Sequence, residues 1–179
     1  MGISVKLKWI ALLGLLITLP LQTSARELGG YVGLGMGFSV LDEVSPNTDT
    51  ASSASKIYLG VRMFGPLGIE VGFYDLGNFN DGDDDVTGTG ITAVGSLMAM
   101  NATLFAKAGV IDWGVEDVPS GAEINGTDLT YAIGIELPIS QRVMFRTEWE
   151  VFQNIGEDSG SGAVGQDINM LNFGVNMNF

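Results

Sequence analysis

The chain has 179 residues, enough for one domain, with 21 Asp and Glu against 8 Lys and Arg, a net charge of −13, and neither His nor Cys. That balance argues against nucleic-acid binding, which needs Lys and Arg to neutralise phosphates. Without Cys there is no disulfide, thiolate chemistry or cysteine-linked lipid, and without His no Ser-His or Asp-His pair can form.

In chain order, Met1 to about Ala25 reads as a cleaved secretory signal peptide. Lys6 and Lys8 form its positive end, Trp9 to Leu21 its apolar run, and Gln22-Thr23-Ser24-Ala25 its small-residue cleavage region. The apolar run is shorter than the roughly 20 residues a spanning helix needs. No later segment could cross a membrane as a helix, and residues 26–179 form the mature domain.

From Leu28 onward hydrophobicity alternates with period two, which predicts strands near 28–40, 55–64, 68–77, 89–99, 104–114, 129–137, 142–154 and 168–179. Leu171, Phe173, Val175, Met177 and Phe179 fall on one face of the last strand, and Asn172, Gly174, Asn176 and Asn178 on the other. The seventh strand sets Val143, Phe145, Thr147, Trp149 and Val151 against Met144, Arg146, Glu148 and Glu150; the second sets Ile57, Leu59, Val61 and Met63 against Tyr58, Gly60 and Arg62. Tight turns are expected at Gly65 to Gly68, Asn101 to Thr103 and Pro138 to Gln141. Long polar loops are expected near 41–54, 78–88, 115–128 and 155–167.

Short turns at one end, long loops at the other and strands of about 9–11 membrane-crossing residues fit an all-β, eight-stranded antiparallel up-and-down transmembrane barrel. The competitor is a soluble barrel with its apolar face inward. Its water-facing side would be rich in Lys, Glu and Thr, whereas the non-apolar face here is mostly Gly, Ala, Ser and Asn with a few Arg and Glu. Those residues suit a narrow lumen filled by side chains. Gly33, Gly35 and Gly37 belong to it, and Trp149, Tyr131 and Phe179 are expected at the lipid interfaces. Arg62, Lys107 and Arg146 share the lumen face with Glu70, Glu136, Glu148 and Glu150, where pairing is close to obligatory because an unpaired charge costs several kcal/mol. Such pairs could plug the lumen, or only satisfy one another and fix register.

The hairpin from Gly134 through Arg142-Val143-Met144-Phe145-Arg146-Thr147-Glu148-Trp149 to Gly156 resembles that of the outer-membrane protein A barrel family. So do Gly68 to Gly77 and Met170 to Val175. The resemblance implies a lumen interrupted by ion pairs, with Glu70, Glu136 and Arg146 in one charge network and Lys107 at a basic lumen position. The family's further Lys on strand four has no counterpart between Thr92 and Met98, which puts gating by partner exchange in doubt here. Many relatives continue into a peptidoglycan-binding domain; the sequence here stops at the barrel, so no cell-wall tether is implied.

No catalytic residue, cofactor or dedicated metal site is expected. The cluster Asp81, Asp83, Asp84 and Asp85 has Val86 where a calcium loop needs Gly and Thr92 where it needs Glu, leaving at most weak sharing of divalent cations with lipopolysaccharide. The expected location is a Gram-negative outer membrane with both termini periplasmic. The partners expected are its lipids and lipopolysaccharide, with periplasmic chaperones and the barrel-assembly machinery during biogenesis. A structural, surface-presenting role is the first functional expectation, and a narrow porin-like channel the alternative.

Overall fold

Side chains along a strand alternate between its two faces, and a sheet that closes on itself buries one of them and leaves no open edge strand. A computed structural model describes residues 29–42, 51–64, 66–79, 84–117, 122–156 and 165–179. The expected signal-peptide segment Met1 to Ala25, together with Asp81 and Asp83, lies outside the described residues. The described residues form β1 (Gly29–Leu41), β2 (Ala51–Phe64), β3 (Leu67–Phe79), β4 (Asp84–Ala99), β5 (Ala102–Asp117), β6 (Ala122–Pro138), β7 (Val143–Ile155) and β8 (Gln166–Asn178). Each pairs antiparallel with its sequence neighbours, and β1 meets β8 through pairs such as Tyr31–Asn178 and Leu34–Val175, closing the barrel.

Outside, Leu34, Met36, Phe38, Ile57, Ile91, Ile133 and Leu171 are exposed, as are Tyr131, Trp149 and Phe179. So broad an apolar surface is at home in acyl chains, not in water. Val151 lies on this side but is buried, in register with Tyr131 and Asn169.

Three boundaries differ from the sequence expectation. β2 begins at Ala51, inside the expected first loop, and this brings Lys56 well within the strand. β4 reaches back into the expected loop 78–88, and β5 and β6 take up most of the expected loop 115–128, to the register Asp84–Asp117–Ala122. Acidic and Gly residues there read as loop, but Val86, Val115 and Ile124 share one row, Val86 buried in the inner apolar cluster and the other two packed against it. The β4–β5 turn is Met100-Asn101, with Ala99 paired to Ala102, so Ala102 and Thr103 belong to β5. Met100 there has φ 55, a left-handed conformation uncommon for a long side chain.

Glycine and aromatic residues are matched across strands inside the barrel. Gly33 faces Tyr58 and Gly60 faces Tyr31 in the β1–β2 register, and a Cβ on either glycine would run into the facing ring. Gly126 receives Trp113 and Gly134 receives Phe105 in the same way. The glycines seat inward rings in a tube too narrow for two side chains at one level, as aromatic cover of strand glycines does elsewhere. Gly60→Val is therefore expected to displace Tyr31 and cost about 1–3 kcal/mol, an overpacking penalty that urea unfolding of the refolded protein would read.

Candidate functional site

The inward faces of β2, β3, β5, β6 and β7 converge on one charged layer. At its centre Arg146 on β7 bonds Glu70 on β3 through both ends of its guanidinium, Nη1 to Oε2 at 2.8 Å and Nη2 to Oε1 at 3.3 Å. Its Nη2 also donates to Glu148 Oε2 at 2.8 Å, and Nη1 lies 3.6 Å from Glu136 Oε1. The planar cation sits over the rings of Phe105 and Tyr58, 4.1 and 4.5 Å from their centroids. Delocalised charge with bidentate geometry suits this position better than a lysine would.

Lys107 on β5 links the carboxylates, 3.0 Å from Glu70 Oε1, 2.9 Å from Glu150 Oε1 and 3.4 Å from Glu148 Oε2. Lys56 on β2 completes the layer, pairing with Glu148 and lying 3.1 Å from Glu150 Oε2. Tyr31 donates to Glu70 at 2.8 Å and Tyr74 to Glu150 at 3.0 Å. Toward the short-turn end, Arg62 donates to Glu136 at 3.0 Å and Asn178 at 2.7 Å, with its own ring contact to Tyr31.

All seven residues expected in the lumen, Arg62, Glu70, Lys107, Glu136, Arg146, Glu148 and Glu150, thus meet in one connected set. Arg62 differs from the rest: its side chain is 33% exposed and sits at the mouth, not in the tube. Sequence reasoning misses Lys56. Three bases against four acids would leave one negative charge uncompensated in a dry interior, and Lys56 brings the described set to four of each. No base stands on β4 at this level; the buried Thr92 there donates to the Glu70 carbonyl. The second lysine of the layer comes from β2.

Above the charges, toward the long connections, the lumen is not small or polar as expected. Leu76, Phe79, Ile111, Trp113, Phe152, Ile155, Ile168 and Met170 fill it as one buried apolar cluster. Two β-bulges build this layer. One, between Asp75 and Gly77, uses Gly77 at φ 92 and an Asp75 carboxylate that accepts from the Gly77 N–H at 3.1 Å; it turns both Leu76 and Phe79 inward. The other, between Phe152 and Ile155, has Asn154 at φ 53 and does the same for that pair. A bulge inserts a residue and so reverses the facing of the side chains beyond it. Ser39 fastens the first bulge by donating to the Leu76 carbonyl.

Below the charges, at the short-turn end, is a small recess of about 10 Å³ lined by Tyr31, Arg62, Leu67, Val94, Phe105 and Glu136. The interior thus runs from a small recess, through an ionic layer, to an apolar layer.

Of the acidic cluster, Asp84 and Asp85 lie at the start of β4. Asp85 pairs in register with Glu116, and Glu116 with Glu123, a row of like charges across three strands. Partial burial first, then the charges of Asp75 and Glu116, pushes the Asp85 carboxyl above its usual value. The ionised form is therefore disfavoured on folding, a cost present at neutral pH that fades as pH falls through the raised folded value toward the unfolded one. No group of three potential metal ligands occurs among the described residues.

A family model described as an outer membrane protein β-barrel domain matches residues 10–179. The chain belongs to that family. A search of characterised protein sequences finds none that matches. Among solved structures, the N-terminal β-barrel domain of Pseudomonas aeruginosa OprF is 9% identical with TM-score 0.61, covering 86% of this chain and 100% of that one. Neisserial surface protein A is 15% identical with TM-score 0.58, over 84% and 97% of the two chains. The attachment invasion locus protein Ail of Yersinia pestis, solved with a heparin analogue, is 12% identical with TM-score 0.58, over 86% and 100%. At these identities the likeness carries the fold, and the family places the barrel in the bacterial outer membrane.

Proposed function

We propose that this outer-membrane barrel is a closed structural element that stiffens the membrane and presents its four longer connections outside. In this reading the signal segment is removed near Ala25, and both termini lie on the periplasmic side, as an even strand number with short turns at the terminal end requires. Membrane lipid and lipopolysaccharide are its standing partners, with chaperones and the assembly machinery acting during insertion. The reading rests on two closures in series: the ionic layer around Arg146 and the apolar layer around Phe152. Ions meet a ring of paired charges and then a side-chain-filled segment that is mostly apolar and offers little to replace their hydration. We assign no catalytic role, because Glu148 and Glu150 are already committed to Arg146, Lys107 and Lys56.

The small recess at the short-turn end favours the second reading, a narrow channel entered there. Liposome swelling separates the two. Vesicles carrying the refolded protein are expected to swell in small-sugar and KCl media no faster than protein-free vesicles. Rapid swelling would instead support the channel.

A further inference from the structure

The barrel wall is uneven at its loop end. β6 is paired with β5 from Thr103–Glu136 through to its first residue, at Asp117–Ala122. With β7 it is paired only from Pro138–Met144 to Thr130–Phe152. Ala122 to Leu129 therefore have a partner strand on one side alone among the described residues. At about 3.3 Å per residue this open edge is roughly 26 Å long, and every second backbone N–H and C=O along it points away from β5.

Open edges are blunted by Pro, a bulge or charged side chains, Lys above all; the segment Ala-Glu-Ile-Asn-Gly-Thr-Asp-Leu has no Lys, Pro or bulge, and its two charges, Glu123 and Asp128, are both acidic. The edge is also held firm. Trp113 on β5 donates from Nε1 to Asp128 Oδ2 at 2.8 Å, and its indole lies against Gly126. A strand kept extended before it binds gives up less freedom when a partner arrives.

Charge identifies the partner. The outer face beside the edge carries Asp85, Asp112, Glu116 and Glu123, and no Lys or Arg occurs anywhere between Lys107 and Arg142 or between Arg62 and Lys107. A second copy of this edge would bring like charges together. We propose that Ala122 to Leu129 of β6 form a docking edge for an extended, lysine- or arginine-rich segment of another polypeptide, which adds to the sheet as a further strand. Backbone hydrogen bonds supply the attachment, and the row Asp85, Glu116 and Glu123 selects the positive side chains.

The test uses the full barrel refolded in micelles and a short synthetic peptide alternating Lys with Val. Amide hydrogen exchange in Ala122 to Leu129 is expected to be fast without peptide and to slow when it is added. A peptide of the same charge with Pro at alternate positions, unable to donate into a ladder, is expected to bind about tenfold more weakly. The Glu116→Lys, Glu123→Lys double variant is expected to weaken binding of the Lys/Val peptide by a similar factor. Should that variant fail to refold, the two peptides on the unaltered protein decide alone. The proposal is overturned if the edge amides are already protected, whether by a second copy or by the chain's own residues. It is equally overturned if neither peptide binds, or if both bind alike, which would mark attraction by charge without strand addition.

Discussion

Replacing Arg146 by Ala is expected to destabilise the refolded barrel by about 3–5 kcal/mol, the usual result of stranding buried partners of a lost charge. The loss is large because one guanidinium serves Glu70, Glu136 and Glu148 together and lies against Phe105 and Tyr58. Arg146→Lys keeps the charge but not the fork or the ring contact, so a smaller loss is expected. In the Arg146→Ala background, Glu148→Gln should recover part of the stability by removing an uncompensated acid. Urea unfolding in micelles measures all three, and an Arg146→Ala midpoint equal to that of the unaltered protein would show that the ionic layer carries no weight.

The second large effect lies one layer up. Phe152 is fully buried, packs edge-on against Tyr74 with ring centroids 5.1 Å apart, and belongs to the cluster with Leu76, Ile111, Ile168 and Met170. Phe152→Ala should cost about 3–5 kcal/mol by opening a cavity that a closed barrel wall cannot collapse to fill. Tyr74 joins the layers, touching Phe152 with its ring and donating to Glu150 with its hydroxyl. The Arg146→Ala and Phe152→Ala losses should for that reason fail to add, and a double-mutant cycle on the same unfolding signal would show it. Strict additivity would mean that the ionic and apolar layers are independent.

The barrel was legible in the sequence because lipid on one side and a narrow tube on the other impose opposite chemistry at every second residue. Leu171, Phe173 and Val175 against Asn172, Gly174 and Asn176 state it directly. Lys56 shares parity with Tyr58, Gly60 and Arg62, and the surplus acid among the other lumen charges is a signal that one more base belongs there. The serines around it, which read as loop, obscure it. The apolar seal is hidden differently. Leu76, Ile111, Phe152 and Met170 have the parity of the charged residues, and parity alone does not say that an inward face turns from polar to apolar along the tube. Phe79 and Ile155 cannot be placed by parity at all, because each comes after a bulge that reverses the count. The extended β4–β5–β6 wall is masked by Asp, Asn and Gly, residues whose local preference is for turns and which cross-strand pairing here overrides.

Closure of the lumen is tested most directly by single-channel recording in planar bilayers on the unaltered protein, Arg146→Ala, and Arg146→Ala combined with Phe152→Ala. The unaltered protein and the single variant should both stay silent, since the apolar layer still bars ions when the charges are disturbed. Steps should appear only when both layers are cut. Steady conductance from the unaltered protein would contradict a sealed interior.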